Sequence, residues 1–162
     1  MEEIAEKSKE KKLGRFKELC KQRSIKLTPQ RLIIYEALLN NNDHPSTDMI
    51  YQQVRQAFPT ISFDTVNRTL LTFYDMGLAG VVEGSGNPKR FDGNLKKHHH
   101  FQCLQCRRIV DVYNEQYDAI PIPQELRERY HILNLTVHLE GICDQCKADG
   151  EQQEESECQS LL

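Results

Sequence analysis

Two Cys-x-x-Cys pairs constrain the fold of this 162-residue chain more than any other feature of its sequence. Cys103 and Cys106 form the first pair, Cys143 and Cys146 form the second, and 36 residues lie between them. Four thiolates in two such pairs are typical of a closed, tetrahedral zinc site. Because this gap exceeds the usual loop of a zinc ribbon, the sequence predicts a small subdomain folded between the pairs.

The cellular compartment follows from the cysteines and the N-terminus. Six cysteines could form three disulfides, but two closely spaced pairs in a reducing cytosol favour metal binding. The N-terminal stretch "MEEIAEKSKEKK" is charged, and no apolar run approaches the roughly 18 residues that a membrane span needs. We therefore expect a cytoplasmic protein with no membrane partner.

The first part of the chain contains four segments with helical periodicity. In the first of them, residues 13–25, apolar residues recur at helical spacing, and Cys20 lies on the apolar stripe. The residues that can cap or begin the later helices are Thr28 with Pro29, Ser46 or Thr47, and Ser62, and Gly77 can end the last one. The stretch "LAGVVEGSGNPKRFD" then predicts a β-hairpin. Helices joined by a short turn and followed by a hairpin predict a winged helix-turn-helix domain.

Charge suggests a partner for this domain. Residues 1–97 carry 16 basic against 12 acidic side chains, and residues 7–31 carry ten against two. A basic front half and an amide and guanidinium on the last helix suit phosphate and base contacts in double-stranded DNA. The candidate DNA-binding residues are Thr65, Asn67, Arg68 and Arg31. The alternative is that these are ordinary polar residues of a solvated helix face.

The composition changes after Asp92. Strand-like segments flank the first cysteine pair, "PIPQELRERYH" holds a short helix, and "ILNLTVHLEGIC" alternates as a strand leading to the second pair. The sequence thus predicts an α/β (α+β) protein with an N-terminal winged helix and a small C-terminal α/β domain. The predicted boundaries are 1–92 for the winged-helix domain, 93–97 for a hinge, 98–146 for the metal-binding domain and 147–162 for a disordered acidic tail.

Three consecutive histidines precede the first cysteine pair. Side chains alternate along a strand, so His98 and His100 point to one face while His99 and Cys103 point to the other. If the flanking strands pair symmetrically about the cysteine pair, Asp111 lies opposite His98. The two histidines then belong to a second site, separate from the thiolates.

Two further residues could complete this second site from the winged-helix side, namely Asp92 and His44. Imidazoles and carboxylates form a harder ligand set than thiolates and suit iron(II), manganese(II) or zinc. A site that draws ligands from two domains would act as a switch, because it fixes their relative angle only when filled. The alternatives are solvated surface histidines and a His44 that simply closes a loop.

The motifs in their order resemble the ferric uptake regulator superfamily. They are "LTPQRLIIYEAL", "HPSTDMIYQQV", "ISFDTVNRTLLTFYDMGL", "KRFDG", "HHHFQCLQCRRIVDV" and "GICDQC", and the resemblance covers about residues 13–146. It implies a homodimeric, metal-dependent transcription factor that binds operator DNA, with dimerisation through the C-terminal domain. It also implies a structural zinc on the four paired cysteines. The implied regulatory site consists of His44, Asp92, His98, His100 and Asp111.

The branch of this superfamily is indicated by the two carboxylates. Iron-uptake members tend to carry Glu at both places, whereas peroxide-sensing members carry Asp, as this chain does at Asp92 and Asp111. The resemblance therefore implies a repressor in which iron(II) and peroxide oxidise His44 or His98, and the operator is released. The alternatives are a regulator that senses iron, manganese or zinc levels, a zinc-dependent hydrolase, and a zinc-stabilised interaction module. We expect a regulator and not an enzyme.

Overall fold

The structure is a computed structural model that describes residues 2–41, 43–82 and 88–149, with side chains from Lys9 onward. The chain divides into two compact units, residues 1–96 and residues 97–162. Within the described residues, none of the helices combines the length and the apolar character of a membrane span.

The first unit has the element order of a winged helix. Its elements are α1 (Glu2–Gln22), α2 (Pro29–Leu39), α3 (Thr47–Ala57), α4 (Phe63–Asp75), β1 (Gly80–Val82) and β2 (Arg90–Asp92). The two strands pair antiparallel, with Gly80 opposite Asp92. Residues 83–87, which include the predicted glycine turn of the hairpin, lie outside the described residues.

The first helix differs from its prediction, because α1 begins at Glu2 and ends at Gln22 where residues 13–25 were expected. The predicted starts of α2, α3 and α4 are confirmed. The side-chain oxygens of Thr28, Ser46 and Ser62 each accept a main-chain N–H in the first turn of the following helix. These bonds satisfy amide groups that have no partner within the helix. Gly77 follows α4 with a φ of +69°, a conformation that glycine adopts without steric cost.

An aromatic cluster forms the centre of the first unit. The ring centroids of Phe16, Tyr35 and Phe73 lie 4.8 to 5.4 Å apart, in tilted and edge-to-face arrangements. Cys20 packs against this core with 1% of its surface exposed, as its place on the apolar stripe predicts. Burial also raises the pKa of the Cys20 thiol, which keeps it protonated and unreactive.

The second unit is built on a three-stranded sheet. Its elements are β3 (His99–Cys103), β4 (Ile109–Val112), α5 (Glu115–Asp118), α6 (Gln124–Arg129) and β5 (His138–Gly141). The strand order is β4-β3-β5, with β3 antiparallel to β4 and parallel to β5. Residues 144–149 are helical, so the first residues of the predicted tail belong to a helix; residues 150–162 lie outside the described part.

Two features of this unit differ from what the sequence led us to expect. The strand expected over 132–143 is limited to His138–Gly141, because β3 is only five residues long and pairs with just these four. The helix α5 was not predicted. Asn114 begins it by accepting the N–H of Gln116 at 2.9 Å.

The register of β3 and β4 also differs from the symmetric pairing. The structure places His100, and not His98, opposite Asp111. Arg107 adopts a φ of +64° and belongs to the turn, so the hairpin is closed by a bond from the Cys103 N–H to the Arg108 carbonyl at 2.9 Å. The centre of the hairpin therefore lies one residue beyond the centre of the cysteine pair. A shift of two positions preserves the face, so His98, His100 and Asp111 still share one side of the sheet.

Candidate metal centres

The four paired cysteines of the second unit converge, as predicted. Their sulfur atoms all lie within 4.8 Å of one another, and the Cys106 and Cys143 sulfurs are 3.7 Å apart. Zinc–sulfur bonds of about 2.3 Å in a tetrahedron require sulfur atoms about 3.8 Å apart. The cluster therefore fits a closed zinc site on geometry as well as on ligand type.

Backbone N–H groups point at two of these sulfurs. The Cys143 N–H points at the Cys103 sulfur at 3.4 Å, and the Cys146 N–H points at the Cys143 sulfur at 3.5 Å. Desolvation opposes ionisation of Cys103, but backbone hydrogen bonds led by that of Cys106 lower its pKa to about 6. Hydrogen bonding to Cys143 and desolvation raise the pKa of Cys146 to about 12. A bound dication would favour the thiolate form that all four ligands need.

A salt bridge ties the two cysteine pairs together on the surface. Arg108, just after the first pair, forms an ion pair with Asp144 and donates to the Gln145 side-chain oxygen at 3.1 Å. Both partners lie between the cysteines of the second pair. The contact therefore joins the two turns independently of metal.

The second unit also brings together three of the predicted regulatory ligands. The His98 Nε2 atom lies 3.4 Å from an Asp111 carboxylate oxygen, and the rings of His98 and His100 meet edge to face at 4.6 Å. Both imidazoles are buried. Asp111 reaches His98 diagonally across the β3–β4 pair, which is the result of the shifted register. Two buried imidazoles and a partly buried carboxylate on one face form a ligand set suited to a first-row divalent metal.

Tyr113 belongs to this cluster although it was not predicted from the sequence. Its hydroxyl donates to the second carboxylate oxygen of Asp111 at 3.2 Å, and its ring lies 5.8 Å from that of His98. The position two residues after Asp111 was the available signal, since such residues share one face of a strand. A hydrogen bond of this kind orients a carboxylate ligand toward its metal.

The first unit holds the other two candidates, His44 and Asp92. His44 adopts a φ of +48°, an uncommon conformation for a residue with a side chain. The loop that carries His44 is attached to β2, because the Phe91 N–H donates to the Pro45 carbonyl at 2.9 Å. Asp92 ends β2, and its carboxylate accepts the Asn94 N–H at 2.6 Å. Both side chains are buried.

Comparison with known proteins assigns the family. The ferric uptake regulator family matches residues 22–140. The chain is also 33% identical over 129 residues to the peroxide-responsive repressor PerR of Staphylococcus epidermidis, an alignment that covers 78% of this chain and 84% of that protein. The chain belongs to the ferric uptake regulator family. It is therefore a metal-responsive transcriptional repressor of the Fur type and not an enzyme.

Solved structures of the Fur family share this fold. The Helicobacter pylori ferric uptake regulator Fur gives a TM-score of 0.70 at 21% identity, over 85% of this chain and 93% of that one. The Campylobacter jejuni peroxide stress regulator gives 0.61 at 25% identity, over 80% and 97% of the two chains. The predicted fold class, a winged helix-turn-helix followed by a small α/β domain with a four-cysteine site, is confirmed.

The predicted DNA contacts of this Fur-family chain lie in different environments. Arg68 is largely exposed on α4 and forms an ion pair with Asp64 at 2.9 Å. Thr65 takes part in the helix cap through its hydroxyl, 2.8 Å from that of Ser62. Asn67 is half-buried and accepts a hydrogen bond from the Thr47 hydroxyl at 3.1 Å. Arg31 donates to the Lys26 carbonyl, close to the start of α2.

Proposed function

We propose that this protein is a peroxide-responsive repressor whose DNA binding depends on a regulatory iron(II) or manganese(II) ion. The observation that carries the proposal is the pair of buried His98 and partly buried Asp111, with the His100 ring beside it, on one face of the second unit. The proposed ligands are His44, Asp92, His98, His100 and Asp111. The identity to peroxide-responsive repressors of staphylococci supports the peroxide branch.

The two units have different roles in this proposal. Residues 1–92 bind operator DNA, residues 93–97 are a hinge, and residues 98–146 hold zinc on the four cysteines and form the homodimer. Exposed apolar side chains in the second unit, among them Tyr130 and Leu133, support a partner surface there. A metal that takes His44 and Asp92 from one unit and the other ligands from the second would hold the units in one arrangement.

Oxidation of a ligand would end that arrangement. Bound iron(II) supplies the chemistry that reduces peroxide. His44 or His98 would gain one oxygen atom: the carbon between the ring nitrogens becomes a carbonyl, its hydrogen moves to a ring nitrogen, and the remaining oxygen of peroxide leaves as water. The altered ring is a poorer ligand, and one imidazole is a large part of a five-ligand site, so its loss lowers metal affinity and releases the operator.

The test of this proposal combines DNA selection with a peroxide pulse. Manganese-loaded protein is used to select duplexes from a random-sequence pool, and the affinity for the selected DNA is then measured anaerobically with iron(II) and with manganese(II). We expect a stoichiometric pulse of peroxide to weaken binding at least about tenfold for the iron form alone. If peroxide weakens the DNA binding of neither form, the protein is a sensor of metal level. If the selection enriches no DNA with any metal, the protein is better explained as a zinc-stabilised interaction module that does not bind DNA.

Arg68→Ala tests the proposed DNA surface. A guanidinium that contacts a base or a phosphate contributes about 1–3 kcal/mol, so we expect operator affinity to fall roughly fivefold to a hundredfold. Arg127→Ala, which removes the same charge from an exposed position on α6, is the matched control and should bind normally. Fluorescence anisotropy at fixed salt measures both. Equal affinities for the two variants would remove Arg68 from the DNA surface.

Tyr113→Phe tests the support of the regulatory carboxylate. Removing the hydroxyl leaves Asp111 without the hydrogen bond that orients it, and partners of this kind typically contribute ten- to a hundredfold to metal affinity. We expect manganese(II) affinity to fall by about tenfold, with zinc content unchanged. Isothermal titration calorimetry of the zinc-loaded protein with manganese(II) measures this affinity. Tyr74→Phe, which alters an exposed tyrosine of the first unit, is the control.

A further inference from the structure

One carboxylate contacts the residues on both sides of His98. The Lys97 ammonium lies 2.9 Å from an Asp118 carboxylate oxygen and also donates to the Asp118 main-chain carbonyl at 3.4 Å. The His99 Nε2 atom lies 3.4 Å from the same carboxylate oxygen. The residues immediately before and after His98 are thus both attached to the end of α5.

The His99 ring is fixed by contacts with two other segments of the unit. It is 1% exposed, its Nδ1 atom accepts the Val137 N–H at 3.1 Å, and the Tyr117 ring meets it edge to face at 5.4 Å. Because Nδ1 accepts this bond, Nε2 is the ring nitrogen that can donate, and it faces Asp118. His99 therefore connects β3 with α5 and with the segment that enters β5.

The contacts among Lys97, His99 and Asp118 lie on the opposite face of β3 from the candidate metal ligands. Side chains alternate along the strand, so His99 points away from His100. Lys97 contacts the same Asp118 carboxylate oxygen as His99. The hydrogen bond from Lys97 is the main cause that lowers the pKa of Asp118, so the carboxylate stays ionised at neutral pH. Lys97 is 49% and Asp118 41% exposed, and ion pairs at such positions contribute little to global stability. Their effect is expected on the position of the strand and not on whether the unit folds.

We propose that Asp118 is a positioning residue for His98, and that Lys97 supplies the cation which holds Asp118 in place. With its main chain attached on both sides, residue 98 presents its imidazole to Asp111 in one orientation. Metal sites tolerate displacements of only about 0.5 Å in their ligands, so loosening this attachment weakens the site. The inference rests on the proposed function in so far as His98 binds the regulatory metal.

Asp118→Ala tests the proposal with cobalt(II) as a spectroscopic probe. Zinc-loaded full-length protein is titrated with cobalt(II), and the visible absorption reports the geometry at the regulatory site. We expect about a tenfold loss of cobalt affinity and an altered spectrum. Zinc content and the thermal midpoint are expected to match those of the wild type. Glu115→Ala, which removes an exposed carboxylate from the same helix, is the control and should change neither affinity nor spectrum.

Two Lys97 variants show whether the positive charge of this side chain is what holds Asp118. Lys97→Ala is expected to reproduce the loss, whereas Lys97→Arg keeps the cation and should stay within about threefold of the wild type. Wild-type affinity and spectrum in Asp118→Ala would overturn the positioning role while leaving the proposed function intact. If the wild-type protein binds no cobalt beyond its zinc, the regulatory site and this inference both fail.

Discussion

Cys103→Ser is expected to cost the protein its zinc and the fold of the second unit. Cys103 is fully buried at the end of β3, and its sulfur belongs to the four-cysteine cluster. Zinc binding contributes roughly 10–16 kcal/mol to folding in small zinc domains, which equals or exceeds the total stability of most domains. A serine hydroxyl does not replace a thiolate at neutral pH, so three sulfurs are left around an incomplete tetrahedron.

Zinc analysis and the dispersion of amide signals from residues 97–149 measure this effect. Cys20→Ser is the informative control, because it alters a buried cysteine that lies in the core of the first unit. It should lower the stability of that unit and leave one zinc per chain. A zinc-free Cys103→Ser protein with a native second unit would contradict the structural role of the metal.

His98→Ala is expected to abolish metal-induced DNA binding while leaving the zinc and the fold in place. The substitution removes one of five proposed ligands and the imidazole that faces Asp111. Hydrogen-bond partners that only orient a ligand already contribute ten- to a hundredfold to metal affinity. Loss of a ligand itself should therefore lower manganese affinity at least about a hundredfold. DNA binding then no longer responds to metal at micromolar concentrations.

His131→Ala is the matched control for this variant. His131 is an exposed imidazole of the second unit and is not among the proposed ligands. Titrating DNA binding against manganese(II) compares the two variants with the wild type. A His98→Ala protein with the wild-type manganese response would remove His98 from the regulatory site.

Local rules were sufficient for the starts of α2, α3 and α4 and for the faces of β3. Thr28, Ser46 and Ser62 begin their helices because a side-chain oxygen is available where main-chain amides need one, and that requirement is visible in the sequence. The separation of His98 and His100 from His99 and Cys103 follows from alternation alone. Such predictions depend on neighbours along the chain and not on tertiary packing.

Features that depend on turn conformation or on distant residues were missed. The left-handed conformation of Arg107 shifted the register of the hairpin, and no glycine marks that position. The hydrogen bond from Tyr113 to Asp111 and the contacts of Asp118 with Lys97 and His99 arise only once the strands and α5 are placed. The ligand types were therefore predictable from the sequence, whereas the groups that orient them were not.

Peptide mass spectrometry of anaerobically iron-loaded protein, before and after a near-stoichiometric pulse of peroxide, tests the proposed sensing mechanism most directly. We predict one added oxygen atom on His44 or His98, and no such addition in a manganese-loaded control. Unmodified histidines in a protein that still requires metal to bind DNA would contradict peroxide sensing and indicate a regulator of metal level.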